Sequence, residues 1–106
     1  MITYEEFGKI ELRTAKIIDV KEHPSADRLY ILNIDIGGES RQIVAGIKVY
    51  YAAQELIGKN IAVVYNLQPA VIRGVESNGM LLAASSEQGL SILTLERDLP
   101  SGAVIK

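Results

Sequence analysis

Apolar and polar residues alternate through most of the chain, the period of strands with one buried face, and the alternation fails in two short stretches. From Leu29 to Ile36 the pattern is regular, with Leu32, Ile34 and Ile36 on one face and Asn33 and Asp35 on the other. Gly37 and Gly38 follow as a two-residue hairpin signal, and Arg41 to Ala45 reads as the returning antiparallel strand. Upstream, from Lys9, the parity changes twice: Ile10 and Leu12 share one, Ala15 and Ile17 take the other, Ile18 and Val20 return to the first. A long strand that changes face in this way is bulged and strongly bent. His23 and Pro24 stop it, and Ser25, Ala26 and Asp27 supply turn chemistry. Ile61 to Tyr65 is a fourth strand and Met80 to Ala84 a fifth, separated by a Pro- and Gly-punctuated loop from Asn66 to Gly79.

The two exceptions read as helix. Thr3 and Glu6 have the spacing of a capping box, with Phe7 available to bury one side before Gly8. Tyr50 to Ile57 holds Ala52, Ala53, Gln54, Glu55 and Leu56, good helix formers, with Gly58 placed as the stop. The tail carries two apolar runs, Ile92, Leu93 and Leu95, then Ala103, Val104 and Ile105, split by Pro100 and Gly102. The expected class is all-β with one or two short helices. Five strands with one helix between the third and fourth form the layout of an OB-fold, a five-stranded Greek-key barrel.

The length of 106 residues suits one domain with a single core, over residues 1–106. There are no cysteines, which excludes a disulfide scaffold, a cysteine-ligated zinc site and a thiol nucleophile. No apolar run reaches the ~18 residues of a membrane span. The opening Met1 to Glu6 lacks the basic and apolar regions of a secretory leader, so no membrane association and a cytoplasmic location are expected.

Enzymatic readings find little support. His23, the sole histidine, stands before a proline in a turn, where anchoring the turn by hydrogen bonding is the simpler role. His23 and Asp27 are two ligands at most, too few for zinc, and no metal or cofactor is expected. Gly74 and Gly79 have phosphate-loop spacing, but Met80 and Leu81 stand where that motif needs Lys and Ser or Thr. Ser77, Ser85, Ser86 and Ser91 have no nucleophile-elbow context, and no catalytic residue is assigned.

The net charge of −2 argues weakly against a nucleic-acid partner, but its distribution is uneven. Ser40 to Val75 carries Arg41, Lys48, Lys59 and Arg73 against Glu55 alone, a balance of +3 that falls to +1 when Glu39 and Glu76 are included. The Asn66 to Gly79 loop is one of the two loops with which OB-folds grip oligonucleotides, and Asn66, Arg73, Ser77 and Asn78 give it donors for phosphate, ribose and base edges, with Met80 as a soft apolar contact.

These residues carry a family resemblance. The turn His23, Pro24, Ala26, Asp27, Leu29, Tyr30, preceded by Asp19 and Val20, is joined by Ala45 and Gly46, the Tyr50 and Tyr51 pair, and Asn66, Leu67, Pro69, Arg73, Gly74, Ser77, Gly79, Met80, Leu81. Over nearly its whole length, from about Tyr4, the chain resembles the tRNA-binding OB-fold family. That family includes the C-terminal domain of bacterial methionyl-tRNA synthetases, their separate archaeal beta subunits, small bacterial tRNA-binding proteins and the endothelial monocyte-activating polypeptide module.

The resemblance implies a non-catalytic module that binds tRNA by shape and backbone and assists methionyl-tRNA synthetase, as its beta subunit or as a free-standing dimer. It carries over Asn66, Arg73, Ser77 and Met80 as tRNA contacts; Lys48, Arg41 and Lys59 join them on charge. It also implies a homodimer through a C-terminal extension, with Tyr4, Phe7, Ile92, Leu93, Leu95, Val104 and Ile105 at the interface. The chain departs from the family at Gln68 and Val71, where basic residues are common. That departure leaves room for an alternative, a peptide-binding module like the export-linked chaperones that share the dimeric fold.

Overall fold

The sheet is organised by its longest strand, β1 (Leu12–Glu22), in a computed structural model that describes residues 1–106. Its first half pairs antiparallel with β4 (Asn60–Val64), Leu12 opposite Val64 and Lys16 opposite Asn60. Its second half pairs along the other edge with β2 (Tyr30–Ile36), and the register slips at Ile18, between Ile17 opposite Ile34 and Asp19 opposite Asn33. This is the bulge that the changing parity predicts: one extra residue turns the strand and returns Val20 to the core side while Ile18 stays exposed.

From β2 the chain turns through Gly37 and Gly38, both at positive φ as a primed hairpin turn requires, into β3 (Glu39–Ala45). The sheet order is β3-β2-β1-β4-β7, where β7 is Met80–Leu81. The sheet curls into an antiparallel half-barrel of OB type. Gly79 packs closely against β3 and β4, and a Cβ there would come within 3.3 Å of both the Ile43 side chain and the Val64 carbonyl. Inside lie Ile17, Leu32, Ile34, Ile43, Ile61 and Val63, with Leu56 inserted from α2 (Ala53–Leu56). Each such side chain contributes about 1.5–3 kcal/mol by leaving water. No helix is long and apolar enough to cross a membrane.

Four expectations are corrected. The helix expected over Tyr50 to Ile57 contracts to α2, because the Tyr50 and Tyr51 N–H groups both bond the Ile47 carbonyl in a turn. That turn brings the Tyr51 hydroxyl to accept from the Ile92 N–H at 3.1 Å, while the Tyr30 hydroxyl donates to the Tyr51 carbonyl at 2.7 Å. The fifth strand divides: past Leu82, whose N–H still bonds the Ala62 carbonyl of β4, the chain leaves β4, and β8 (Ala83–Ser86) pairs instead with β9 (Gly89–Ile92). The Asn66 to Gly79 segment contains a small hairpin, β5 (Ala70–Ile72) and β6 (Val75–Ser77). Finally, Ile92 is a core residue, buried with Ile47 and Leu56, rather than part of an apolar surface.

The termini meet beside β1. α1 (Tyr4–Phe7) has the expected capping box, the Thr3 hydroxyl accepting from the Glu6 N–H and the Glu6 carboxylate from the Thr3 N–H, yet it buries none of its residues. β10 (Val104–Ile105) adds to the start of β1, with Val104 opposite Arg13 and Ile105 opposite Leu12.

Candidate nucleic-acid interface

The β5–β6 hairpin turns at Arg73 and Gly74, with φ of 51° and 88°. Two consecutive left-handed residues are what a two-residue primed turn needs, and Arg73 is the only non-glycine residue in the chain at positive φ. Such a conformation persists where its surroundings hold it. Here the β1–β2 turn does so. The buried His23 ring accepts at Nδ1 from the Ser25 N–H at 3.0 Å, which leaves the ring proton on Nε2, 3.0 Å from the Ile72 carbonyl it bonds. The Ser25 hydroxyl donates to the Arg73 carbonyl at 3.1 Å, and Arg73 Nη2 donates to the Ser25 carbonyl at 2.9 Å. The anchoring role expected of His23 therefore extends to a second loop 49 residues away.

At this junction Ser25, Ala26, Asp27, Arg28, Leu29 and Arg73 line a cleft of about 380 Å³. Arg28 forms no ion pair or side-chain hydrogen bond within the chain and is exposed, so two arginines line one cleft together with Asp27. Sequence reasoning misses Arg28, which carries no signal of its own until the hairpin tip is brought beside it.

The other expected contacts are dispersed. Ser77 is 3% exposed; its hydroxyl accepts from the Val44 N–H and donates to the Gly79 carbonyl, fixing the hairpin to β3. Asn66 is committed at both ends of its amide, Oδ1 to the Glu11 N–H and Nδ2 to the Lys9 carbonyl, each at 2.8 Å. Met80, 47% exposed, keeps its thioether available on β7. Lys59 is half-buried at the far end of β4 from Val64. Lys48 is paired with Glu22, and this exposed pair holds the Glu22 carboxyl below and the Lys48 ammonium above their usual ranges, chiefly through their shared hydrogen bond.

Arg41 is likewise no free cation. Its guanidinium lies 3.9 Å from the Tyr65 ring centroid, donates to the Tyr65 carbonyl and pairs with Glu39. The Tyr65 hydroxyl donates to the other Glu39 oxygen, and Arg13 stands 5.2 Å from the same ring. The Tyr65 hydroxyl and Arg41 hold the Glu39 carboxyl below its ordinary range, while the tyrosine itself is pushed up, first by that hydrogen bond. A depressed folded pKa gives stability that is complete above the unfolded value and is lost as pH falls through the folded one. Acid unfolding of Glu39→Gln should therefore begin from a lower plateau and show a shallower fall below the ordinary glutamate range. Urea midpoints from pH 7 to 3 test this, and parallel curves for the two proteins would contradict it.

A second concavity, about 440 Å³ in volume, lies where the termini meet, and Tyr4, Phe7, Ile10, Leu12, Val104 and Ile105 provide its apolar walls. The expected dimer set thus divides. Tyr4, Phe7, Val104 and Ile105 share this groove, Leu95 lies with Arg97 and Leu99 in a separate shallow cleft, the exposed Leu93 lines neither, and Ile92 is in the core.

Comparison with known proteins gives one consistent result. The family described as "Putative tRNA binding domain" matches residues 12–104. A methionine–tRNA ligase of Pyrococcus furiosus is 45% identical over 105 residues, 99% of this chain and 14% of the ligase. One from Methanococcus maripaludis is 48% identical over 99% of this chain and 16% of its own length. The chain thus spans about one seventh of the curated relatives it matches. Among solved structures, a MetRS related protein from Pyrococcus horikoshii superposes with a TM-score of 0.93 at 32% identity, covering 100% of this chain and 98% of that one. The CsaA chaperone protein from Picrophilus torridus gives 0.92 at 32% identity over the whole of both chains.

Proposed function

We propose, from the premise that the chain belongs to the tRNA-binding domain family, that it is a non-catalytic, structure-specific tRNA-binding module serving methionyl-tRNA synthetase. In this reading it acts in trans in the cytoplasm, as the beta subunit or as a free-standing dimer. The observation that carries the binding reading is that two arginines, Arg28 and Arg73, line one cleft where the two loops are fastened. Phosphate contacts supply affinity without reading sequence, which suits recognition by shape. With Arg41 and Lys48 paired with carboxylates, the cleft's own cations are Arg28 and Arg73, and each copy binds modestly. Two copies joined through the Tyr4, Phe7, Val104 and Ile105 groove would present two arginine pairs to one tRNA, raising affinity through effective concentration.

Fluorescence anisotropy with unfractionated tRNA, across a salt series, tests the reading. Binding should exceed that to a hairpin or a single strand and fall steeply with salt. Arg73→Ala and Arg28→Ala should each weaken all tRNAs alike and lower the log–log salt slope by about 0.7–0.9 for each phosphate that is no longer neutralised. A double variant that binds like the parent would remove the cleft from the interface. A peptide-binding reading is favoured by Val71, 71% exposed on the outer face of the hairpin, together with the likeness to a chaperone. It predicts instead salt-insensitive capture of unfolded chains and no preference for tRNA.

A further inference from the structure

The bulge at Ile18 sets the register of β1 so that Asp19 stands opposite Asn33, and Asn33 in turn opposite Gln42. Three polar side chains therefore form one row across β1, β2 and β3 on the outer face of the half-barrel, at the strand spacing of about 4.8 Å. With Lys21, Ile31 and Leu32 they line a cavity of about 220 Å³.

Their internal bonds leave a defined pattern. Asn33 accepts from the Ser40 hydroxyl through Oδ1 at 2.7 Å, so its Nδ2 hydrogens remain available as donors. Gln42 donates through Nε2 to the Glu76 carbonyl at 2.8 Å, which leaves its Oε1 as an acceptor and ties the row to β6 of the candidate interface. The half-buried Asp19 carboxylate has no partner in the chain. Read from β1, the row offers a two-oxygen acceptor and then a donor. Lys21, two residues further along the same face, adds a cation, and Ile31 an apolar side.

We propose that this row is a base-reading subsite for an unpaired guanine of the bound RNA. Sequence-specific RNA contacts are made to unstacked bases through their Watson–Crick edges. Guanine alone gives a carboxylate two adjacent donors, N1–H and N2–H, and then places the O6 acceptor where the Asn33 amide donates. Adenine, cytosine and uracil each give that carboxylate one donor. Lys21 takes the neighbouring phosphate. The subsite adds a sequence preference to a module that otherwise grips backbone, and it rests on the reading of the chain as an RNA binder.

The test is an amide NMR titration of the labelled protein with the pentanucleotides UUGUU, UUAUU and UUIUU, inosine being guanine without its N2 amino group. The guanine strand should bind roughly tenfold more tightly than the other two, with shifts at Asp19, Asn33 and Gln42. Asp19→Asn should bring guanine down to the adenine level and leave adenine unchanged. Equal affinities, no binding of the guanine strand at millimolar concentration, or an Asp19→Asn protein that keeps its preference would each overturn the proposal. Binding of whole tRNA is measured on the same samples. If the parent fails to bind tRNA, the broader reading fails; if tRNA binds and the guanine preference is absent, only the subsite does.

Discussion

His23→Ala is expected to unfasten the hairpin that carries Arg73, lowering stability by roughly 2–3 kcal/mol and weakening tRNA binding about as much as Arg73→Ala does. The imidazole is 6% exposed and makes two bonds, to the Ser25 N–H and the Ile72 carbonyl. Its removal leaves both groups unpaired beside a small cavity, and each partly buried orphan costs about 1–3 kcal/mol unless water reaches it. What remains of the latch is the reciprocal contact between Ser25 and Arg73, exposed to solvent on both sides. That contact is too weak to hold a non-glycine residue at φ 51°. Arg73 would then leave the cleft without having been mutated.

Two readouts separate this from a general loss of fold. Hydrogen exchange at Val75, which pairs with Ile72, should accelerate selectively while the β2–β3 ladder stays protected. His23→Gln, which returns a donor toward Ile72 but no acceptor for Ser25, should recover part of the loss in urea midpoint. An unchanged midpoint and unchanged Val75 protection in His23→Ala would show that the ring does not hold the hairpin.

The contrast between what is legible in the sequence and what is not follows the range of the interactions. The β2–β3 hairpin and the bulge at Ile18 are written in local alternation and in Gly37–Gly38, because burial on one face imposes period two on every residue of a strand. The β5–β6 hairpin escapes that test, having three residues on each side and an Arg-Gly turn in place of the usual Asn-Gly. It exists because His23, Ser25, Val44 and Gln42, all distant in sequence, bond to it. Charge misleads for the same reason. Arg41 and Lys48 count as cations in a window of sequence, whereas Glu39 and Glu22, both outside that window, neutralise them in space. Arg28 is the converse, an ordinary surface arginine until the fold places it next to Arg73.

Gly102→Ala should be the most damaging glycine-to-alanine substitution in the chain, and it should act on the fold and on the proposed dimer together. Gly102 sits at φ +89°, and an added Cβ would lie 2.9 Å from the Cα and 3.1 Å from the N of Gly37, in the β2–β3 turn. Both contacts are with backbone, so no side-chain rotation relieves them. Gly37 is itself left-handed, at φ 64°, and cannot retreat without disturbing the hairpin. The combined backbone strain and overlap cost about 2–4 kcal/mol.

The tail is the part free to move, and its attachment is concentrated at one place. The Gly102 N–H donates to the Thr14 carbonyl at 2.7 Å, Thr14 N–H to the Ala103 carbonyl at 2.9 Å, and the buried Thr14 hydroxyl links Pro100 and Ala103. Breaking these bonds releases β10 from β1 and removes Val104 and Ile105 from the groove they share with Tyr4 and Phe7. The expected result is a thermal midpoint lowered by roughly 10–20 °C. If the proposed dimer forms through this groove, light scattering at micromolar concentration should show a dimer for the parent and a monomer for Gly102→Ala. Val104→Asp, which leaves the Gly102–Gly37 approach intact, should give the monomer with most of the thermal stability of the parent monomer retained. If Gly102→Ala melts with the parent and keeps its mass, the tail is not clamped at Gly37, and the groove cannot owe its shape to that approach.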